Sequence, residues 1–211
     1  DLLERMKKTN IEDAWSVLRR YGFVNQFESG WVKSHEHPRL VGRALTAAFM
    51  PLRPDVNEVI NAEGKRNREI GAQNSWVIGK LRKGDVLVVD LFGKVLEGTF
   101  AGNNLSTMIK DKSGNGYIVN GGCRDLESVL LVPECPVYNR GWDPSFLDNV
   151  MLMGVNLPIR TGRAVVMPGD VVLGGSEGVL FIPAHLAEEA DHPARRGMGG
   201  PSPPPRDGSC C

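Results

Sequence analysis

The sequence predicts an α/β fold, and three features carry that reading. Apolar residues recur at helical spacing over residues 2–21. Runs of aliphatic and β-branched residues follow Gly84-Asp85 and Gly169-Asp170, each a turn feeding a strand. Between and before these, helix-like and strand-like stretches alternate, as they do where strands are joined through helices.

Taken in order, Leu2, Leu3, Met6, Ile11, Ala14, Trp15, Val17 and Leu18 form the first helical stripe, with Gly22 as its terminator. Thr9-Asn10-Ile11-Glu12 resembles a cap and splits the stretch into two short helices. Residues 39–50 suit a strand entered through His37-Pro38, and Pro51 and Pro54 then break the chain. Residues 55–80 read as helix interrupted near Gly71. Gly84-Asp85, Val86 to Asp90, Gly93 and Val95-Leu96 form a pattern that returns as Gly169-Asp170, Val171 to Leu173, Gly178 and Val179 to Ile182. Each copy predicts a β-hairpin, and two copies are too few for a solenoid. Residues 104–112 suit a short helix, and 116–119 a strand ending at Gly121-Gly122. Cys135 to Tyr138 and Val155 to Ile159 suit further short strands. From residue 190 the composition turns to Pro and Gly, which builds no core. The organisation expected is one domain over 1–189, opening with a helical segment. Residues 190–211 are expected to be a disordered tail or an artefact of cloning or reading frame.

The 211 residues suffice for one packed domain, and 25 Lys+Arg balance 25 Asp+Glu. That neutrality argues against nucleic acid as the partner, whose phosphates attract a basic excess. No apolar run reaches the roughly 20 residues of a membrane-spanning helix, and the first residues lack a secretory apolar core. The chain opens on Asp1 rather than Met, as a fragment or processed form does. The four cysteines, with no CxxC, make neither a disulfide framework nor a zinc knuckle, so a cytoplasmic location is expected.

Two segments can carry chemistry. Gly102-Asn103-Asn104-Leu105 joins a strand-like stretch to a helix-like one. Glycine lets a ligand approach the backbone, and a first helical turn offers free N–H donors to an anion. Asn103 or Asn104 would equally serve as a plain N-cap, with no ligand. Gly121-Gly122-Cys123-Arg124-Asp125 follows a buried-looking strand, at the kind of strand end where α/β sheets gather ligands. Arg124 offers a planar fork to a carboxylate, and Asp125 offers oxygen to a hard divalent cation. The same Arg-Asp pair also reads as an ordinary surface or capping pair. His35 and His37 flank Glu36 in a loop-like stretch and read as solvated side chains rather than metal ligands.

With these residues in view, the chain resembles the family of the regulator of ribonuclease activity A and the 4-hydroxy-4-methyl-2-oxoglutarate aldolases. The resemblance runs from about Asp13-Ala14 to Glu188-Glu189. It is carried by Leu40 to Thr46, Lys83 to Asp90, Gly121 to Asp125, Pro168-Gly169-Asp170, Glu177-Gly178-Val179 and Ile182-Pro183. It implies the swivelling β/β/α fold, assembled as a homotrimer or a dimer of trimers with sites between subunits. It further implies that backbone amides of Gly102, Asn103, Asn104 and Leu105 hold a 2-oxo acid carboxylate and that Arg124 contacts the same substrate. Asp125 would bind Mg²⁺ or Mn²⁺, partly through waters. The implied chemistry is retro-aldol cleavage releasing pyruvate, with oxaloacetate decarboxylation as companion.

That chemistry agrees with the residues, because cleavage beside a 2-oxo group leaves an enolate whose charge needs a metal or a fixed cation. The family signature is an acidic residue, twenty residues, then Arg-Asp; here the first position is Asn103, which keeps the catalytic place without the acid. Asn120 stands where many relatives have Asp, and Gly174-Gly175-Ser176 replaces an often acidic stretch. The competing reading is a non-catalytic protein-binding module of the ribonuclease-regulator type, with which Asn103 is consistent. A methyltransferase would need a glycine-rich nucleotide loop that the sequence lacks.

Overall fold

A computed structural model describes residues 1–191 of the chain. Asn10 divides the first helical stretch into α1 (Leu2–Met6) and α2 (Ile11–Arg20). Its side-chain oxygen accepts from the N–H of Glu12 at 2.8 Å and of Asp13 at 3.4 Å, as an N-cap should. Two short strands, β1 (Phe27–Glu28) and β2 (Val32–Lys33), precede the long strand β3 (Val41–Pro51). Pro54 opens α3 (Pro54–Arg66), which the turn at Gly71 separates from α4 (Gln73–Gly79). The indole of Trp76 on α4 rests where a Cβ on Gly64 would stand, 2.2 Å from the ring, so the two helices close on a residue without a side chain.

Then come β4 (Asp85–Asp90), α5 (Asn103–Ser113), β5 (Tyr117–Asn120), β6 (Gly122–Cys123) and α6 (Leu126–Val129). β7 (Val137–Asn139), β8 (Gly141–Trp142), β9 (Val150–Val155), β10 (Ile159–Thr161) and β11 (Ala164–Val166) follow. The hairpin β12 (Val171–Gly174) and β13 (Val179–Ile182), a 3₁₀ turn at Ala184–Leu186 and α7 (Ala187–Asp191) end the described chain. No helix among the described residues is long and apolar enough to cross a membrane.

The main sheet runs β1-β13-β12-β3-β4-β5-β7-β2, with β9 also paired to β3. β3, β4, β5 and β7 are parallel neighbours, with Thr46 opposite Val88, Val88 opposite Ile118 and Ile118 opposite Tyr138. These strands are buried on both faces, and alternation sorts their side chains. Leu87 and Val89 face α4 and α5 with Ile78, Ile109 and Tyr117, whereas Val86 and Val88 face the β10–β11 hairpin with Ile159 and Phe181. A third cluster joins Met6, Leu18, Leu180, Ile182 and Leu186 under the N-terminal helices.

β1 and β2 stand at opposite ends of the sheet order although only Ser29, Gly30 and Trp31 separate them. That stretch spans at most about 14 Å, so the sheet curls until its ends nearly meet. Arg140 bridges the gap: Nη2 donates to Glu28 Oε1 at 2.9 Å, and the guanidinium carbon lies 3.8 Å from the centroid of Trp31.

Three expectations need correction. Val95-Leu96 is not a strand, because β3 and β5 occupy both edges of β4 and leave nothing for a hairpin to return along. Only the second Gly-Asp copy makes a hairpin, although Gly84 and Gly169 share a φ of +87° and their turns flank the same strand, β3. Val155 to Ile159 is not one strand: Val155 ends β9, Ile159 opens β10, and residues 156–158 turn between them, with Asn156 at φ +57°. Ala190 is buried and belongs with Asp191 to α7, two residues past the boundary expected at 189. The rest of the expected tail lies outside the described residues.

Candidate active site at the carboxyl ends of the parallel strands

Beyond β4 the chain turns through Lys94 to Gly98 and lays this loop against the glycine pair that follows β5. The N–H of Gly122 donates to both Lys94 O at 2.9 Å and Gly98 O at 3.1 Å. A Cβ on Gly121 would stand 2.8 Å from the Lys94 carbonyl, so the loop demands the glycine. From there residues 99–102 run beside 122–124: Phe100 N donates to Gly122 O at 2.9 Å and Arg124 N to Ala101 O at 3.0 Å. Gly102 thereby arrives alongside Arg124 and Asp125. A Cβ on it would lie 2.2 Å from Asp125 Oδ2, 3.0 Å from Arg124 Cγ and 3.1 Å from Arg124 Nε.

Gly102 is the N-cap of α5, in an extended conformation, and no side chain caps the helix. The asparagine cap considered from sequence is therefore absent: Gly102 is pressed against Arg124 and Asp125, the chain is already helical at Asn103, and Asn103 and Asn104 fall inside the first turn. The first helical bond is Ser106 N to Gly102 O at 2.9 Å, so the N–H groups of Asn103, Asn104 and Leu105 have no intrahelical acceptor. Asn103 is half-buried and Asn104 exposed, while Leu105 packs on the core.

Arg124 is half-buried. Its Nη1 donates to Thr99 Oγ1 at 3.5 Å, its Nε lies 3.7 Å from Asp125 Oδ2, and its guanidinium carbon lies 5.1 Å from the centroid of Phe146. Asp125 adopts the left-handed conformation, φ +60° and ψ +41°, which Asp tolerates better than most residues. This turns the chain into α6 and leaves the carboxylate about half exposed. Among the described residues, no three of His, Cys, Asp and Glu gather as a metal cage. The donor set is one carboxylate, which suits a cation that keeps most of its waters, as Mg²⁺ does.

The floor of the site is neutral. Ser106 Oγ lies 2.7 Å from the Tyr117 hydroxyl, and burial pushes that hydroxyl well above its ordinary range. Burial likewise pushes the Cys123 thiol up to about 12, so it stays protonated and is no thiolate nucleophile.

The structure also brings in residues the sequence reading missed. β6 pairs in parallel with β8, Cys123 opposite Trp142, and Asp143 N donates to Cys123 O at 3.0 Å. The turn from Asp143 to Phe146 therefore sits against Arg124. Asp143 Oδ1 accepts from Ser145 N at 2.9 Å, and Ser145's hydroxyl and N–H hold the Asp143 carboxyl below its usual range. Thr99, fully buried, donates its hydroxyl to Ser145 O. Only Asp143-Pro144, a common turn opening, hinted at this in sequence.

Other candidates lie elsewhere. The His35 ring is taken by Ser34 Oγ at 2.8 Å and Leu130 O at 3.2 Å, and Glu36 pairs with Lys33. Asn120 donates to Asp90 Oδ1 at 3.0 Å and accepts from Arg140 Nε at 2.9 Å, a bridge for which an amide is better suited than a carboxylate. A groove of about 780 Å³ lined by Arg43, Lys80, Arg82 and Asp85 opens at the amino end of β4, the opposite end of the strand from Asn120 and the site. Lys80 there is already paired with Glu69.

Comparison with known proteins follows the same lines. A family model described as RraA-like, Aldolase/RraA, matches residues 8–181. A protein of Halalkalibacterium halodurans named "Putative 4-hydroxy-4-methyl-2-oxoglutarate aldolase" is 28% identical over 155 residues, 72% of this chain and 72% of that protein. The crystal structure of Streptomyces coelicolor RraAS2, described as an unusual member of the RNase ES inhibitor RraA protein family, superposes with a TM-score of 0.75. It is 26% identical, and the match covers 92% of this chain and 90% of that one. The RNA-processing inhibitor RraA from Thermus thermophilus shares the fold at a TM-score of 0.55 and 20% identity, over 79% of this chain and 92% of that one. The α/β architecture expected from the resemblance is thus the one observed.

Proposed function

Since the chain belongs to the RraA-like family, matched over residues 8–181, we propose that it is a divalent-metal-dependent carbon–carbon lyase that cleaves a 4-hydroxy-2-oxo acid to release pyruvate and also decarboxylates oxaloacetate. The observation that carries this reading is the convergence of Gly102, Arg124 and Asp125 at one helix N-terminus, with a Cβ at 102 only 2.2 Å from the Asp125 carboxylate. The named aldolase relative supports the same class of reaction.

In this reading the free N–H groups of Asn103, Asn104 and Leu105 bind the substrate's carboxylate, aided by the positive end of α5. Arg124 lays its fork on the carboxylate and the 2-oxo oxygen and steadies the enolate that forms when the C3–C4 bond breaks. Asp125 would hold Mg²⁺ or Mn²⁺ through its carboxylate. When bound, the ion supplies Lewis-acid polarisation of the 2-oxo group. Asn103 orients a water by hydrogen bonding but takes up no proton, so removal of the 4-hydroxyl proton is the weak point of the aldol reaction. In this reading the protein works in the cytoplasm as a homotrimer or hexamer on a small 2-oxo acid, with neither nucleic acid nor membrane as partner.

Pyruvate release from oxaloacetate and from a 4-hydroxy-2-oxo acid, measured with and without a chelator, tests the proposal. Metal-restored turnover supports it. No turnover with either ion in a folded protein overturns it in favour of the second reading, a protein-binding regulator, which the amide at Asn103 favours.

A further inference from the structure

Arg124 is a long side chain whose fork is useful only if it is held still. Its stem leaves β6 beside the Gly102 backbone, but its far end is controlled from the turn at Asp143–Phe146 on the neighbouring strand. Five contacts connect them. Asp143 Oδ1 accepts from Ser145 N at 2.9 Å, which closes an Asx-type turn. That turn aims the Ser145 carbonyl at the hydroxyl of Thr99, while Ser145 Oγ accepts from Glu97 N at 2.7 Å and pins the turn to the loop before the site. Thr99, its own proton committed to Ser145, presents a lone pair that accepts from Arg124 Nη1 at 3.5 Å. The next residue, Phe146, places its ring over the guanidinium with 5.1 Å between carbon and centroid, although the side chain is otherwise 73% exposed.

We propose that the Asp143–Phe146 turn is a clamp that sets the Arg124 guanidinium, with Asp143 as its positioning residue. The proposal rests on the reading that Arg124 receives the substrate carboxylate. The clamp works without touching substrate: it orders the fork in advance, so that binding does not have to freeze it. Thr99 hydrogen-bonds one end of the fork and Phe146 covers a face, which leaves the opposite face and the remaining N–H groups to the ligand. The role demands of Asp143 an acceptor oxygen for the Ser145 N–H, and not a charge. An asparagine supplies that oxygen; an alanine does not.

The test uses the full chain with Mg²⁺ and the variants Asp143→Asn, Asp143→Ala and Phe146→Leu. Two measurements are made. One is the ¹⁵N–¹H signal of the Arg124 Nε–H, identified by its loss in Arg124→Lys. The other is the affinity for oxalate, a planar mimic of the pyruvate enolate. The ring current of Phe146 should displace the Arg124 signal in the wild type and in Asp143→Asn. The displacement should vanish in Asp143→Ala and in Phe146→Leu, and oxalate should bind Asp143→Ala about tenfold more weakly, the cost of ordering one long side chain on binding. An unmoved Arg124 signal in Asp143→Ala overturns the clamp. So does an Asp143→Asn protein that behaves like Asp143→Ala, since charge and not the turn would then be responsible. If the wild-type signal is displaced and tracks the variants as described but oxalate does not bind at all, the clamp stands and the lyase reading falls.

Discussion

The α-carbon of Gly102 faces the carboxylate of Asp125 so closely that a methyl group on it would stand 2.2 Å from Oδ2. Loop, helix N-terminus and Arg-Asp pair are therefore one packed unit. Gly102→Ala should displace Asp125 and Arg124 together, cutting pyruvate release at least a hundredfold. The fold should lose about 1–3 kcal/mol, the usual cost of overpacking. A denaturation midpoint and a turnover assay on the same sample separate the two effects.

Asp125→Asn puts in place an amide residue that tolerates the left-handed backbone, φ +60°. The variant should fold as the wild type does and yet fail to recover activity when Mg²⁺ or Mn²⁺ is returned after chelation. Full metal-restored turnover in this variant would remove Asp125 from the metal site. Arg124→Lys should also be poor, because an ammonium does not reproduce the bidentate fork.

Asn103 lies at the first turn of α5, where an aspartate fits equally well and gains from the helix dipole. Asn103→Asp should raise aldol turnover by about 10²–10⁴-fold, the range of general acid–base assistance, with little change in KM. Oxaloacetate decarboxylation, which removes no hydroxyl proton, should change far less. Slower aldol turnover in the variant would place the proton path elsewhere.

Asp170 makes a prediction about stability. It is buried in the second Gly-Asp turn, accepts from Met167 N at 2.8 Å, and burial raises its pKa from 3.8 to about 6. A raised value means that the folded state binds the proton more tightly than the unfolded chain. The favourable contribution is complete below about pH 4 and is lost as pH rises through about 6. The stability difference between wild type and Asp170→Asn should therefore shift in favour of the wild type as pH falls from 7 to 4, by up to about 3 kcal/mol. Denaturant melts at several pH values would show it, and a difference independent of pH would contradict it.

What the sequence made legible was local. The Asn10 cap, the break at Gly71 and the Gly-Asp turns depend on neighbours along the chain, and each stands where the residues indicate. Val95-Leu96 was misread because its fate depends on which strands flank β4, a non-local fact. Gly102 rather than an asparagine caps α5 for the same reason: the conformation is set by Arg124 and Asp125, more than twenty residues away. Asn103, Arg124 and Asp125, the candidate site residues, are singled out by a motif, and the fold brings Gly102 beside Arg124 and Asp125. Thr99, Ser145 and Phe146 join them through a two-residue parallel pairing of β6 with β8 that leaves no periodic trace.

The curl that brings β1 back toward β2 bears on how this chain can go wrong as well as on how it folds. Exposed strand rims are where foreign strands attach and where aggregation by templated pairing begins. Here the two rims are strands of two residues each, and the Arg140–Glu28 contact spans the gap between them. At either of these ends a foreign strand would find almost no ladder to extend. Strand donation at these two ends becomes open only after the Arg140–Glu28 bridge has been broken.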